Sequence, residues 1–450
     1  MPKCGLQELI ELQVRKMMKI AITNAYSSRN QGDAAIVVTT LQLLRQELPD
    51  ARFTIFSLHP DQDEKFYRSR DADVEPNPIM PRSKAFVLAQ FMMWILIASL
   101  GVRVRKATDH WIPFSIYRKL RESDVHISCG GAYLNDSWGF SYMVHLLTII
   151  VSRLLRKPII LYPQTIGPFR KRLGRLIVRF VLNRVDAIFV RDIYSEQYLS
   201  NALRITRTPI YRGADAAFLL QPASPRRTRE MLEEEGLGKD KPLVGMTVRR
   251  WVFPFAKNAP EEYHHFKSMM ARIADHVIES KGAVPVFVPM VSIPGKPLEQ
   301  DDEASRDVIR AMKHGNVAKL VKPSHYTPEE IKSLIGEMAL QVGTRMHSVI
   351  FASSMNVPVV AVAYEPKTFS LMEALGLNRF VFGIEALDFE EMVRGVDVLW
   401  KDREEWTRVV APRVESMRQD ATRAASIVAV LCKSLVASMD QDGSRRMVTR

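Results

Sequence analysis

Short runs of apolar, mostly β-branched residues alternate with helical stretches along most of the chain. Strands are predicted in the first half at 18–23, 52–57, 124–128, 159–162 and 187–190, and in the second half at 243–248, 284–288, 319–321, 340–342 and 357–363. Their hydrophobicity is nearly continuous rather than alternating, which is typical of parallel strands covered by helices on both faces. The pattern therefore predicts an α/β protein with parallel sheets.

Length and one polar segment divide this pattern into two domains. A chain of 450 residues is longer than one hydrophobic core usually serves. Residues 221–241 are rich in proline, glycine and charge, which predicts a linker with one short helix. We therefore expect two Rossmann-like domains facing across a cleft. The predicted organisation is an extension at 1–17, a first domain at 18–220, the linker at 221–241, a second domain at 242–400, helices at 401–438 that pack back across the domain junction, and a disordered tail at 439–450.

Cysteine usage and charge restrict the compartment and the partners. The three cysteines, Cys4, Cys129 and Cys432, are widely spaced, so neither a disulfide framework nor a metal site is predicted. The first sixteen residues lack the apolar core of a signal peptide, and we expect a cytoplasmic protein. A net charge of +13 indicates an anionic partner. Because no nucleic-acid-binding motif occurs, we do not expect that partner to be nucleic acid. The oligomeric state is left open.

One apolar segment, 85–102, contains eighteen residues without a charge. It could span a membrane, lie buried, or face a membrane or a partner. A span would place the strands at 18–23 and 124–128 on opposite sides of a bilayer, although both look like members of one sheet. The basic residues that follow, Arg103, Arg105 and Lys106, favour peripheral contact with the inner face of the plasma membrane.

A second basic segment lies further along the chain. Arg172, Arg175 and Arg179 share one face of a predicted helix. That face could meet anionic lipid, anionic polysaccharide or nucleic acid, or it could simply be solvated.

Polar and glycine residues follow several strands of the first domain. The ends of parallel strands are where ligands bind in open α/β sheets, so these turns predict one wall of a cleft. Each residue taken alone could equally serve local structure, as a helix cap or a tight turn. The candidates on this side are Asn30, Gly32, Asp33, Gly130, Gly131, Tyr133 and Gln164, together with Arg191 after the strand at 187–190.

The second domain carries cationic groups at the corresponding positions. Arg249 follows its first strand, and Lys367 follows its last predicted one. Thr344 is expected to cap the helix after the strand at 340–342, which would place Arg345, His347 and Ser348 in the first turn of that helix. An anion bound there would meet a guanidinium, free backbone amides and the positive end of the helix dipole.

These motifs together resemble those of the polysaccharide pyruvyl transferase family. The resemblance extends over about residues 18–385, and one departure is Ala132, where a third glycine often follows the pair. The motifs that carry it are Asn30-Gln31-Gly32-Asp33-Ala34-Ala35-Ile36, Gly130-Gly131, Pro163-Gln164-Thr165-Ile166-Gly167-Pro168-Phe169, Arg191-Asp192, Asp215-Ala216-Ala217-Phe218, His325-Tyr326-Thr327-Pro328-Glu329-Glu330-Ile331, Arg345-Met346-His347 and Tyr364-Glu365-Pro366-Lys367.

The resemblance implies a glycosyltransferase-B-like fold and transfer of pyruvate from phosphoenolpyruvate to a cell-surface saccharide as a ketal. It also implies catalysis by Arg345 and His347. Ketal formation needs a general acid/base and several cations, but neither a metal nor a cofactor. We therefore assign His347 as acid/base, and Arg345, Lys367, Arg191 and Arg249 to the donor, with Thr344 and Ser348 beside them. The first-domain candidates would face the acceptor, which is a saccharide or a lipid-linked saccharide.

Two other functions fit the same pattern. A nucleotide-sugar-dependent glycosyltransferase would place a nucleotide diphosphate in the second domain, where Arg345 and Lys367 could also bind it. The sequence shows no obvious acidic pair for the ribose. A non-catalytic sugar-binding subunit of a polysaccharide assembly complex is the third possibility, and the retained Arg345, His347 and Lys367 argue against it.

Overall fold

The computed structural model describes residues 17–448 except 101–111, 138, 239, 255 and 323–325. It contains two parallel sheets, and the prediction of two Rossmann-like α/β domains is confirmed. The N-terminal extension and Arg103, Arg105 and Lys106 lie outside the described residues. The chain is strongly apolar in its strands, and both sheets are covered by helices, as expected for parallel pairing.

The first sheet has eight strands in the order β3-β2-β1-β4-β6-β7-β8, with β5 paired to β6. Its elements are β1 Lys19–Ala25, α1 Gln31–Glu47, β2 Arg52–Ser57, α2 Pro60–Arg68, β3 Asp73–Pro76, α3 Lys84–Leu100, α4 Ile112–Glu122, β4 Val125–Ser128, β5 Gly131–Leu134, α5 Tyr142–Leu154, β6 Ile159–Ile166, α6 Arg172–Leu182, β7 Ala187–Val190, α7 Ile193–Gln197, a π-helical turn Tyr198–Ala202, β8 Ile210–Arg212 and a 3-10 turn Ala216–Leu219.

The second sheet has six strands in the order β11-β10-β9-β12-β13-β14. Its elements are α8 Pro225–Glu234, β9 Leu243–Thr247, α9 Ala259–Lys281, β10 Val284–Phe287, a 3-10 turn Pro297–Glu299, α10 Asp301–Ala311, β11 Lys319–Leu320, α11 Pro328–Gly336, β12 Leu340–Gly343, α12 Met346–Ser354, β13 Val359–Ala363, α13 Pro366–Ala374, a 3-10 turn Asn378–Phe380, β14 Val381–Gly383, a 3-10 turn Ile384–Ala386, α14 Phe389–Lys401 and α15 Arg403–Val448.

Successive side chains of a strand point to opposite faces of the sheet, and helices of the first domain pack on both faces. On one face, Ile20 and Ile22 of β1 belong to a hydrophobic cluster that includes α1 and α15 and continues into the second domain. On the other face, Ala21 packs with α3, α4 and α5. The neighbouring strands β6 and β7 pack on that same face with α5 and α6. Helices α3, α5 and α6 therefore form one outer layer of the first domain.

The C-terminal helix α15 joins the two domains. Arg418 donates to the Ser354 carbonyl of the second domain at 2.9 Å, and Ser426 contacts Glu47 of the first. The predicted packing across the domain junction is thus present in the structure. The predicted disordered tail at 439–450 is wrong for residues 439–448, because one helix runs from Arg403 through Val448. Residues 439–448 are mostly polar, yet they contain no proline and extend a helix that is already nucleated.

The apolar segment 85–102 forms α3, which has one buried and one exposed side. Val87, Trp94 and Ile97 are buried in the core of the first domain, whereas Leu88, Met92 and Leu96 are exposed. A membrane span is incompatible with this packing, since Val87, Trp94 and Ile97 belong to the protein core. Among the described residues, only Arg403–Met439 is long and apolar enough to cross a membrane by length and composition, and this stretch belongs to the helix that joins the domains.

Candidate functional site

A cavity of about 420 Å³ lies where the carboxyl ends of the two sheets face each other. Residues of both domains line it, as the topology of open parallel sheets predicts. From the first domain the structure brings together Asn30, Gly32, Asp33, Gly131, Tyr133 and Arg191, and from the second Arg249, Arg345, His347 and Lys367.

The turn after β1 forms the first wall and contacts the second domain directly. The Asn30 side chain caps α1 by accepting hydrogen bonds from the amides of Gly32 and Asp33 at 3.1 and 3.3 Å. The Gln31 amide donates to the Met290 carbonyl at 2.9 Å, so the two domains are hydrogen-bonded at this point. The start of α1 is therefore fixed relative to the second domain.

Gly32 allows His347 to lie against the start of α1. A Cβ added at Gly32 would lie 1.9 Å from Nδ1 of His347, far closer than non-bonded heavy atoms approach each other. A glycine at this position is thus what lets an imidazole from the second domain approach the backbone of the first.

Asp33 follows at the same helix start and is buried. Burial raises the pKa of its carboxyl, while the nearby His347 and the Tyr133 hydroxyl act in the opposite direction. The Tyr133 ring stacks on His145 with centroids 4.7 Å apart, which holds it at the cavity wall. The site thus contains a carboxyl that retains its proton more readily than an ordinary aspartate.

A carboxylate and a guanidinium stand behind His347. Nε2 of His347 lies 3.5 Å from Oδ2 of Asp215, and Arg191 forms an ion pair with the same carboxylate. Although burial acts to raise the pKa of Asp215, Arg191 and His347 hold it below its ordinary value. Asp215 is therefore ionised, and it is placed to orient the imidazole and to stabilise its cationic form.

Cations of the second domain converge on Tyr364. The guanidinium carbon of Arg249 lies 4.2 Å from the centre of the Tyr364 ring. Burial acts to raise the pKa of this phenol, but Arg249, Lys367 and Arg345 lower it below its usual value. A buried phenol with a lowered pKa reports a strongly positive local potential. Lys367 is itself ion-paired with Glu365 at 2.7 Å.

Arg345 is held by a bidentate contact. Its Nε and Nη2 donate to Asp301 at 2.9 and 2.5 Å. Burial acts to lower the pKa of Arg345, but Asp301 and Tyr364 raise it above its ordinary value. Asp301 also accepts hydrogen bonds from the amides of Met290 and Val291. The Asp301 carboxylate thus links the Arg345 guanidinium to the backbone at Met290 and Val291, and the Met290 carbonyl in turn contacts the start of α1.

Four predicted site residues do not line the cavity. Thr344 does not cap α12, which begins after Arg345. It is buried, and its Oγ1 donates to the Thr247 carbonyl at 2.9 Å. Ser348 is also buried and donates to the Arg345 carbonyl at 2.7 Å. Because both hydroxyls are satisfied by the backbone around β9 and β12, they shape the turn that carries Arg345 and His347 instead of facing a ligand.

Gly130 and Gln164 likewise belong to packing within the first domain. A Cβ at Gly130 would lie 2.7 Å from the Pro163 carbonyl, so this glycine permits close approach of two backbones. The Gln164 side chain is buried and donates to the Tyr162 carbonyl at 3.4 Å. Neither residue is among those that line the cavity.

The sequence prediction did not assign Asp215, Asp301, Tyr364 or Glu365 to the site. All but Asp301 belong to the family-like motifs. For Tyr364 and Glu365 the available signal is their position after a predicted strand, whereas β8, which precedes Asp215, is not predicted from the sequence. Asp301 begins α10, and no apolar strand directly precedes it. The sequence therefore held no comparable signal for Asp301.

Comparison with known proteins extends these observations. The family model for polysaccharide pyruvyl transferase matches residues 30–366 of the chain. The chain belongs to the polysaccharide pyruvyl transferase family. The matched region runs from Asn30, at the start of α1, to the residue before Lys367, so it includes both walls of the cavity.

One relative is the amylovoran biosynthesis protein AmsJ of Erwinia amylovora. It is 24% identical over 413 residues, which cover 89% of this chain and 96% of AmsJ. The similarity extends over almost the full length of both chains.

Solved structures support the fold. Anabaena Alr3699/HepE in complex with UDP-glucose has a TM-score of 0.53 at 14% identity, covering 94% of this chain and 100% of that one. The UDP co-structure of S. aureus MnaA has a TM-score of 0.56 at 12% identity, covering 92% and 95%. At these identities the likeness concerns architecture alone, and it agrees with the glycosyltransferase-B-like arrangement of two facing domains.

Proposed function

We propose that the protein transfers a pyruvyl group from phosphoenolpyruvate to two hydroxyls of one sugar in a cell-surface or exopolysaccharide precursor. The observation that carries this proposal is the composition of the cavity. Five basic side chains line the cavity together with His347, namely Arg191, Arg249, Lys296, Arg345 and Lys367. Phosphoenolpyruvate bears a phosphate and a carboxylate on three carbons, and several cations at one site match such a compact polyanion.

The positive potential at Tyr364 supports a donor site in the second domain. Three cations together lower the pKa of this buried phenol. Two of these cations are also paired with an acid, since Asp301 holds Arg345 and Glu365 holds Lys367. These carboxylates hold the cations in place before a ligand binds. A bound phosphate would then accept hydrogen bonds from the same cations.

The chemistry needs two proton transfers and no change of oxidation state. One sugar hydroxyl adds to the central carbon of the enol phosphate, and its proton is transferred to the methylene carbon, which becomes a methyl group. Phosphate then leaves from the central carbon, generating an oxocarbenium ion. The second hydroxyl adds to this ion, its proton passes to the phosphate, and the products are the ketal and inorganic phosphate.

We assign the proton transfers to His347 and Asp33. Asp215 stands behind the imidazole at 3.5 Å and is placed to stabilise the imidazolium that forms when His347 takes up a proton. Asp33 has a raised pKa owing to burial and so can hold a proton for the methylene carbon. We assign binding of the acceptor sugar to the first-domain wall that contains Asn30 and Tyr133.

An acceptor screen tests this function. Purified protein is given phosphoenolpyruvate with a panel of galactosyl, glucosyl and N-acetylmannosaminyl acceptors, and phosphate release and product mass are recorded. We expect one acceptor class to yield a product heavier by one pyruvyl unit. Replacement His347→Ala should lower turnover by on the order of a hundredfold or more, the usual contribution of a general acid/base.

The matched control is His314→Ala, which removes an imidazole that pairs with Glu279 at 2.8 Å outside the cavity. This variant should retain wild-type turnover. Wild-type turnover in a folded His347→Ala protein would refute the assigned role. Release of nucleotide from a sugar nucleotide, with no use of phosphoenolpyruvate, would instead identify a glycosyltransferase.

A further inference from the structure

The outer layer of the first domain exposes two apolar stripes. On α3 the stripe consists of Leu88, Met92 and Leu96, which are 56–59% exposed. On α6 it consists of Leu173, Leu176 and Phe180, which are 59–69% exposed. Both helices pack on the same face of the sheet, on either side of α5. The stripes therefore belong to one surface, which we call the α3/α6 face.

Helix α6 and the segments on either side of it are strongly basic. Residues 137–185 contain nine lysines and arginines and no aspartate or glutamate. Arg172, Arg175 and Arg179 follow one another along α6 at spacings of three and four residues, immediately beside the apolar stripe of the same helix. A helix with adjacent apolar and arginine stripes is suited to lie in the plane of an anionic bilayer surface.

The same layer borders the cavity. Pro81 before α3 and Ser141 and Val144 at the start of α5 are among the residues lining it. The Lys84 ammonium lies 5.8 Å from the centre of the Phe140 ring, so the starts of α3 and α5 are neighbours. The α3/α6 face and the acceptor wall thus meet at the amino-terminal ends of these helices.

We propose that the α3/α6 face docks on the surface of an anionic phospholipid membrane. Its leucine, methionine and phenylalanine side chains enter the headgroup region, and its arginines contact lipid phosphates. A helix that spans the membrane is not involved, since Val87, Trp94 and Ile97 of α3 remain in the core. This orientation would present the acceptor wall to a lipid-linked saccharide. The identity of that acceptor rests on the proposed function, whereas the docking itself does not.

Charge argues for lipid rather than a second copy of the chain. In a symmetric dimer the same patch would face itself, and the three arginines of α6 would then meet like charge. Nucleic acid offers phosphates but no counterpart for six exposed apolar side chains. An anionic bilayer supplies both a negative surface and an apolar interior.

Vesicle co-sedimentation of the full chain tests this proposal. The probes are vesicles of phosphatidylglycerol with phosphatidylethanolamine and vesicles of phosphatidylcholine alone. We expect binding to the anionic vesicles only, weakened by high salt. Replacing all three of Arg172, Arg175 and Arg179 by alanine should reduce the partition coefficient by on the order of a hundredfold, because each basic residue near an anionic surface contributes roughly a fivefold factor.

A second variant and a matched control separate the contributions. Changing Leu173, Leu176 and Phe180 to serine should also abolish binding. Alanine replacement of Arg403, Arg408 and Arg423 removes the same charge from α15 and should leave binding unchanged.

Several outcomes would overturn the docking proposal. They are equal binding to both vesicle types, wild-type binding by either α6 variant, or an apolar variant that changes only the oligomeric mass in light scattering. Pyruvyl transfer to a soluble acceptor is measured separately, so failure of docking leaves the proposed function standing, and failure of transfer leaves docking testable.

Discussion

Gly32 and His347 belong to different domains, yet the site requires them to be in contact. The imidazole occupies the space that a side chain at position 32 would fill, with Nδ1 only 1.9 Å from an added Cβ. Since the histidine is also constrained by Asp215 at 3.5 Å, it has little room to move aside. The geometry of proton transfer thus depends on a residue that contributes no functional group.

Replacing Gly32 by alanine tests this dependence. We expect turnover to fall about a hundredfold, since a displacement of about 1 Å of a reacting group can have that effect. Circular dichroism should show the native fold. The control is Gly238→Ala, where the added methyl group would meet only the Asp240 carboxylate at 3.7 Å. Wild-type turnover in folded Gly32→Ala would show that His347 does not need its observed position.

The residues that sequence predicted at the cavity share one property. Asn30, Arg249, Arg345 and Lys367 come soon after strands whose apolar runs are easy to recognise. Thr344 and Ser348 occupy equivalent positions in sequence, but their short side chains turn to nearby backbone carbonyls. Periodicity locates the end of a strand, whereas the direction of each side chain depends on packing that only the folded chain defines.

At the scale of elements, α15 packs on both domains through buried residues spread along its length, among them Trp406, Val410 and Val414. Ala424, Val428 and Cys432 are buried against the first domain, whereas Val430 is 63% exposed on the same helix. Positions two residues apart on this helix thus differ sharply in burial.

A pair of aspartate substitutions measures that attachment. Val428→Asp should lower the free energy of unfolding by about 3 kcal/mol or more, because it buries a carboxyl without a partner. Val430→Asp, two residues away, should change it by less than about 0.5 kcal/mol. Denaturant unfolding followed by circular dichroism compares the two. Equal effects of both substitutions would mean that α15 does not pack as observed.

Central and edge strands differed in how well sequence predicted them. The buried strands β1, β2, β4, β6 and β7 were predicted within a few residues. The edge strands β3, β8 and β14 and the short strand β5 were missed, because they have three or four residues and little continuous hydrophobicity, whereas the edge strand β11 was predicted. For β3 the sequence is Asp73–Pro76, with no fully buried residue. Such strands form because the adjacent strand provides partners for their backbone hydrogen bonds, and that information is absent from the local sequence.

At the scale of the whole molecule, a buried lysine connects the domains. Lys332 of α11 donates to the Leu220 carbonyl of the first domain at 2.7 Å. Burial, with a smaller effect of Arg418, lowers its pKa from 10.5 to about 7. Between these two values the unfolded chain binds a proton that the folded chain does not, so stability rises with pH across this window.

Lys332→Met should reveal this linkage. From pH 7 to pH 9 the free energy of unfolding of the wild type should increase relative to that of the variant by about 2 kcal/mol, since each pH unit in the window changes it by about 1.4 kcal/mol. Other groups titrate equally in both proteins and cancel. The control Lys401→Met removes an exposed lysine. A difference between wild type and Lys332→Met that does not vary with pH would contradict the account.

In the proposed function, the cations of the second domain bind the donor opposite the turn after β1. Calorimetric titration with phosphoenolpyruvate tests this most directly, using wild type, Arg249→Met and the neighbouring control Arg250→Met, whose guanidinium instead lies near Glu303 and Asp307. We predict that wild type and Arg250→Met bind alike, and that Arg249→Met binds at least about tenfold more weakly, as expected for loss of a charge-assisted contact. Binding of UDP-glucose without binding of phosphoenolpyruvate, or equal affinity in all three proteins, would contradict it.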